Sequence, residues 1–195
     1  MTRFRLLAVL ALAVGVGLPA SAGAAERYVI DVASSHFYAG FKISHLGLSN
    51  IHGRFNKISG EILFDSDNPE KSRINVTVDT SSVDTNLVKR DNHLRSPDFF
   101  NVLEFPAMTF LSTKAEKTGE NTGTVTGDLT IIGVTRSVTF DVTLNKAGPH
   151  PTKKEISAVG FSATGMIKRS DFGMKFGIGG IGDEVTLILE AEALR

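Results

Sequence analysis

The sequence predicts an all-β fold, an eight-stranded antiparallel barrel with a short helical segment, about residues 85–100, near one end. Three observations predict it. Apolar or small residues recur at every second position in eight separate runs, turn formers bound each run, and most connections are too short for crossover helices. A chain of 195 residues can bury a core without disulfides, and this one has no cysteine.

The N-terminus reads differently from the rest. Arg3 and Arg5 precede an apolar run from Leu6 to Leu18, then Pro19 and the small residues Ala20 to Ala25. That order predicts a cleaved secretory signal over 1–24, with Ala22-Gly23-Ala24 as the cleavage site and one domain over 25–195. The apolar run is too short to span a bilayer comfortably. Basic and acidic side chains number 21 each, and removing Arg3 and Arg5 leaves 19 against 21. A charge near zero carries no footprint for nucleic acid or for an anionic membrane surface.

The first alternating run places Phe37, Ala39, Phe41 and Ile43 on one face. Seven more follow: Gly60, Ile62, Phe64; Ile74, Val76, Val78; Met108, Phe110; Val125 to Ile131; Val138 to Leu144; Val159 to Ile167; and Val185 to Ala191. Between them, Asp84 to Leu94 breaks the alternation and puts Leu87, Asp91 and Leu94 on one helical face. Ser96-Pro97 then predicts a second helical turn through Phe99 and Phe100.

A barrel of eight strands is either packed solid or holds one small ligand. Phenylalanine alternates with Gly and Ala on the inward faces, which predicts room for a tunnel; the competing reading makes those glycines corner bends around a full interior. His45 continues the parity of Ile43, so its imidazole is expected inside, where it needs a partner. Asp91 is expected to turn inward and pair with Arg90, Arg54 or Arg169. A polar cluster above an apolar tunnel suits a lipid with a polar head.

Longer motifs carry a resemblance. These are Ser35-His36, His45-Leu46-Gly47, Gly53-x-Phe55, Ser82-Val83-Asp84-Thr85-Asn86, Arg90-Asp91-x-His93-Leu94-Arg95-Ser96-x-Asp98-Phe99-Phe100, Phe105-Pro106, Gly127-Asp128-Leu129-Thr130-Ile131, Arg169-Ser170-Asp171-Phe172-Gly173 and Asp183-Glu184-Val185. With them the mature chain resembles the YceI-like family of periplasmic, lipocalin-like, polyisoprenoid-binding proteins. It departs at Gly148 to Lys154, where many relatives carry a Trp-Gly turn. The resemblance implies a lipocalin-like barrel whose pocket takes an isoprenoid tail. Phe37, Phe41, Ile43, Phe55, Phe64, Phe99, Phe100 and Phe110 would bind the tail, and His45, Arg90, Asp91 and His93 the polar head.

Other motifs fail on context. Gly177-Ile178-Gly179-Gly180-Ile181-Gly182 matches a dinucleotide fingerprint by letter, but an alternating strand follows where a helix is required. Asp171-Phe172-Gly173 lacks a preceding catalytic loop. Gly47-Leu48-Ser49-Asn50-Ile51 lacks the last glycine of a nucleophile elbow. The five histidines have no zinc-site spacing. With the resemblance, the sequence reads as a periplasmic, non-catalytic carrier whose ligand the resemblance implies to be a polyisoprenoid or isoprenoid quinone, with no catalytic residue, metal or cofactor other than the lipid. Expected partners are that lipid and a membrane during exchange, the chain being a monomer or homodimer. Two other readings are a small enzyme acting on a lipid through His45 and Asp91, and a partner-binding module with a filled core.

Overall fold

The computed structural model describes residues 25–195. The signal expected over 1–24 lies outside the described residues. Eleven strands form one sheet: β1 Glu26–Ile30, β2 Phe37–His45, β3 Ser49–Phe55, β4 Ile58–Phe64, β5 Arg73–Asp79, β6 Val83–Asp84, β7 Ala107–Lys117, β8 Thr122–Ile131, β9 Val134–Pro149, β10 Ser157–Lys168 and β11 Ile181–Leu194. Every pairing between these strands is antiparallel, and β1 pairing with β11 closes the ring.

The eleven strands make eight staves. Long β11 pairs first with β2, from Ile181↔His45 to Ala191↔Phe37, and then with β1 at Ala193↔Ile30 and Leu194↔Val29. So β1 and β2 are one stave interrupted by residues 31–36. Both ends of that excursion bond to one residue, Asp31 N–H to the Glu192 carbonyl and Glu192 N–H to the His36 carbonyl. β3 and β4 form the second stave, because they pair with β2 and β1 respectively; β5 and β6 form the third. Each alternating run of the sequence lies on a different stave, and the expected barrel is present.

The glycines on the inner wall are neither voids nor corners. Gly53 stands opposite Phe41, Gly165 opposite Phe140, and Gly127 diagonal to Phe110. A β-carbon at these glycines would lie 2.3, 2.8 and 2.6 Å from a carbon of the respective ring. Each phenylalanine is therefore laid over a glycine on the neighbouring strand, the arrangement in which an aromatic ring covers exposed glycine backbone. A ring seated on glycine backbone takes up less of the lumen than one standing over a side chain.

The helical segment is shorter than expected. Helix α1 spans Val88–Arg95, and residues 96–100 are turns. Ser96 is extended, with φ −74° and ψ 170°, as the residue before a proline is driven to be. Asp91 fastens the helix to the chain before it: its carboxylate accepts bonds from the Thr85 N–H at 2.9 Å and the Thr85 hydroxyl at 2.5 Å. Arg90 donates to that hydroxyl and to the Thr85 carbonyl, both at 2.7 Å, while Arg95 reaches the carbonyls of Ser81 and Val83. Asp91 is buried, yet neither Arg54 nor Arg169 is its partner.

Arg169 is committed elsewhere. Its buried guanidinium donates to the carbonyls of Met174, Phe176, Ile181 and Gly182, pinning the glycine-rich loop that precedes β11. Gly177 and Gly179 take φ +65° and +106° there, and a strand follows, so the segment is a rim turn. Asp171-Phe172-Gly173 belongs to a short 3₁₀ turn ending in left-handed Gly173. Beside it, the Ser170 N–H and hydroxyl both bond Asp183.

Two predictions follow from these anchors. Asp91→Ala strands the buried Thr85 donors and is expected to lower unfolding stability by about 1–3 kcal/mol. Thr85→Val should also destabilise, with the double variant costing less than the two losses added, as measured by denaturant titration. The second concerns acid. The Ser170 hydroxyl, then its N–H, hold the Asp183 carboxyl below its ordinary value of 3.8. A group with a lower pKa folded than unfolded gives stability that is complete above the unfolded value and is lost as pH falls toward the folded one. Asp183→Asn should therefore flatten the fall of thermal midpoint below about pH 3.8.

Candidate functional site

Inside the barrel is a cavity of about 630 Å³, open at the end that carries α1. Its walls are the inward faces of the staves: Ala39, Phe41 and Ile43 from β2, Ile74 to Val78 from β5, Phe110 from β7, Leu129 from β8, Phe140 from β9 and Leu189 from β11. The lining is almost wholly apolar, and the filled-core reading does not hold.

The mouth lies between the β2–β3 turn, α1 and the 174–180 loop. His45, Leu87, Lys89, Arg90 and His93 reach the cavity there. His45 is exposed, so the parity that puts Ile43 inside delivers the imidazole only to the rim, where β2 ends. His93 pairs with Asp98, Nε2 to Oδ2 at 2.8 Å, and its ring meets Phe99 and Phe176 edge-on with centroids 5.0 and 4.9 Å away. Phe99 and Phe100 are buried beneath α1, and Phe55 packs against Phe100 at 5.3 Å.

The far end is shut. Phe64 and Phe161 meet edge to face at 5.6 Å within a separate cluster built on Tyr28, Ile62, Val159 and Ala193. Ile74 belongs both to this cluster and to the cavity wall, so the cluster is the cavity floor. The β9–β10 connection, which includes His150 to Lys154, is at this closed end too, since its flanking pair Ser157↔Pro149 lies beside the C-terminal end of β11.

Of the eight apolar residues expected around the ligand, Phe41, Ile43, Phe55, Phe99, Phe100 and Phe110 line the cavity. Phe37 and Phe64 do not. Phe37 shares the parity of Phe41 but sits below the cavity, paired with Ala191, and Phe64 is spent on the floor. Among the four polar residues, His45, Arg90 and His93 reach the mouth, whereas Asp91 is turned to Thr85 and does not. His45 and Asp91 thus share no wall, and the acid–base pair of the enzyme reading is not assembled.

Sequence reasoning missed Lys89, Leu87, Phe172 and Met174 on the lining, and Phe176 beside the mouth. Met174 and Phe176 lie in an irregular segment with no alternation to reveal them; the glycines around them were the available signal. Among the described residues, no group of three or more His, Asp or Glu is placed to hold a metal ion.

Known proteins resemble this arrangement. "Protein YceI" of Escherichia coli O157:H7 is 41% identical over 176 residues, covering 90% of this chain and 91% of the relative. A "UPF0312 protein" of Ectopseudomonas mendocina is 40% identical over 188 residues, covering 96% and 97%. Among solved structures, Burkholderia cenocepacia BcnA superposes with a TM-score of 0.75 at 26% identity, over 84% of this chain and 99% of that one. A polyisoprenoid binding domain from Saccharophagus degradans gives 0.66 over 85% and 97%, at 16% identity, a likeness of fold alone. Residues 28–193, the barrel from within β1 to the penultimate residue of β11, match the YceI-like domain, and the chain belongs to that family.

Proposed function

We propose that this chain is a periplasmic carrier that takes the apolar tail of a polyisoprenoid or isoprenoid quinone into its barrel, without catalysis, and holds the polar end at the mouth. One observation carries the reading: a closed sheet surrounds an apolar cavity with a single ring of charged and aromatic side chains at its opening. At roughly 30 Å³ per water-sized group, the cavity has room for about twenty carbons. Burying that many methylenes contributes about 16 kcal/mol, against an association cost of about 4 to 15. The balance favours retention. Phe41, Ile43, Phe55, Phe99, Phe100 and Phe110 serve the tail; Arg90, His45 and His93, with Lys89 beside them, serve the head. The fold-level neighbour described as a polyisoprenoid binding domain supports the ligand class.

The direct test is organic extraction of protein from its native compartment, followed by mass spectrometry. A long-chain isoprenoid is expected, and protein that is empty and stays empty when offered such lipids sinks the reading. The glycine seats give a second check. Gly165→Val sets new carbons against the Phe140 ring and drives it into the lumen, so bound lipid should fall severalfold while the barrel persists by circular dichroism. The floor gives a third. Phe161→Ala opens the closed end, and extracted tails should shift to longer lengths, with a stability loss below the roughly 3–5 kcal/mol of a fully buried phenylalanine.

A further inference from the structure

The described residues include twelve large hydrophobic side chains that are exposed, and they are not scattered evenly. Six of them, Leu46, Leu48, Leu87, Val88, Phe176 and Ile178, fall on the three segments around the mouth. Leu48 is 85% exposed and Val88 74%. These segments touch one another: Leu46 N–H bonds the Gly180 carbonyl at 2.6 Å, His45 pairs with Ile181, and Phe176 packs on His93 of α1. The six residues therefore form one collar around the opening. Leu48, Val88 and Phe176 do not line the cavity, so lipid inside the barrel leaves them bare.

Cations outnumber carboxylates in the collar. Segments 45–49, 87–95 and 174–180 contain Lys89, Arg90, Arg95 and Lys175, and their only carboxylate is Asp91, buried against Thr85. Asp98, just beyond α1, is held by His93. Residues 25–195 carry 19 basic against 21 acidic side chains, so the positive excess is local to these three segments and is not a property of the whole surface. An exposed apolar patch marks a surface that meets something, and cations beside it select an anionic partner.

The geometry points to the mouth collar as a docking surface for an anionic phospholipid bilayer, with Leu48, Val88 and Phe176 entering the headgroup boundary and Lys89 and Lys175 meeting the phosphates. This rests on the carrier reading, which supplies the reason for the orientation. A tail that passed through water would expose its whole apolar length; with the mouth set on the bilayer it moves from one oily phase to another.

Flotation with large unilamellar vesicles tests it, using equal parts phosphatidylglycerol and phosphatidylcholine in one arm and phosphatidylcholine alone in the other. The protein is expected to float with the anionic vesicles, to be released by raised salt, and to bind the zwitterionic ones far less. Leu48→Ser with Val88→Ser should weaken anionic binding by about tenfold. Lys175→Glu should weaken it too, and neither variant should change the lipid extracted from the purified protein. Absence of binding to either vesicle, or binding that these variants leave unchanged, overturns the proposal. So does concentration-dependent self-association that Leu48→Ser with Val88→Ser abolishes while vesicles are ignored, which would assign the collar to a second copy. If instead vesicles bind as expected but no lipid is ever extracted, the carrier reading fails and the docking surface stands.

Discussion

The structure depends on how phenylalanine is stored in a closed sheet. An eight-stranded barrel is narrow enough that side chains projecting from opposite walls can fill it. Here Phe41, Phe110 and Phe140 are instead laid over Gly53, Gly127 and Gly165 of adjacent strands. Each ring then contributes apolar wall with one edge set on glycine backbone, and Phe110 and Phe140 also meet edge to face at 5.2 Å. The same rings that enrich the composition in phenylalanine thus line an interior that stays open.

From this wall the two ends diverge. At one end Phe64 and Phe161 meet each other, with no glycine seat between them, and close the barrel. At the other, the chain spends polar interactions on keeping irregular segments in place. Asp91 clasps Thr85 so that α1 lies at the opening, and Arg169 holds the glycine-rich loop through four carbonyls. Asp91 does not reach the cavity, and Arg169, which touches its wall, gives its guanidinium to those carbonyls. Both are anchors without which Phe99, Phe172 and Met174 would have no fixed place on the cavity wall. The apolar collar outside this frame belongs to the same logic, because segments tied down through their backbones are free to turn hydrophobic side chains outward.

The staves were legible because a strand with one wet face must alternate, and the wet and dry faces of this barrel are each continuous. Periodicity also identified most of the wall. It failed wherever position along a strand mattered more than face: Phe37 and Phe41 share a face, but one lies beneath the cavity and the other within it. His45 failed for the same reason at the opposite end. At 96–100 the local signals gave one turn and no helix: Ser96 caps it, its Oγ accepting the Asp98 N–H, and the Phe99 and Asn101 N–H groups both return to the Ser96 carbonyl.

Read alone, the chain determined the number of staves, their inward residues, the helical excursion and the family to which these motifs point, since all of these follow from local order and spacing. Only the tertiary structure decided which end is open, which phenylalanines lie on the wall and which on the floor, and that Asp91 and Arg169 are anchors. Those outcomes are set by contacts between residues far apart in the chain, such as Phe64 with Phe161 and Arg169 with Gly182. Period-2 alternation says which way a side chain points, and closure of the sheet says what it meets.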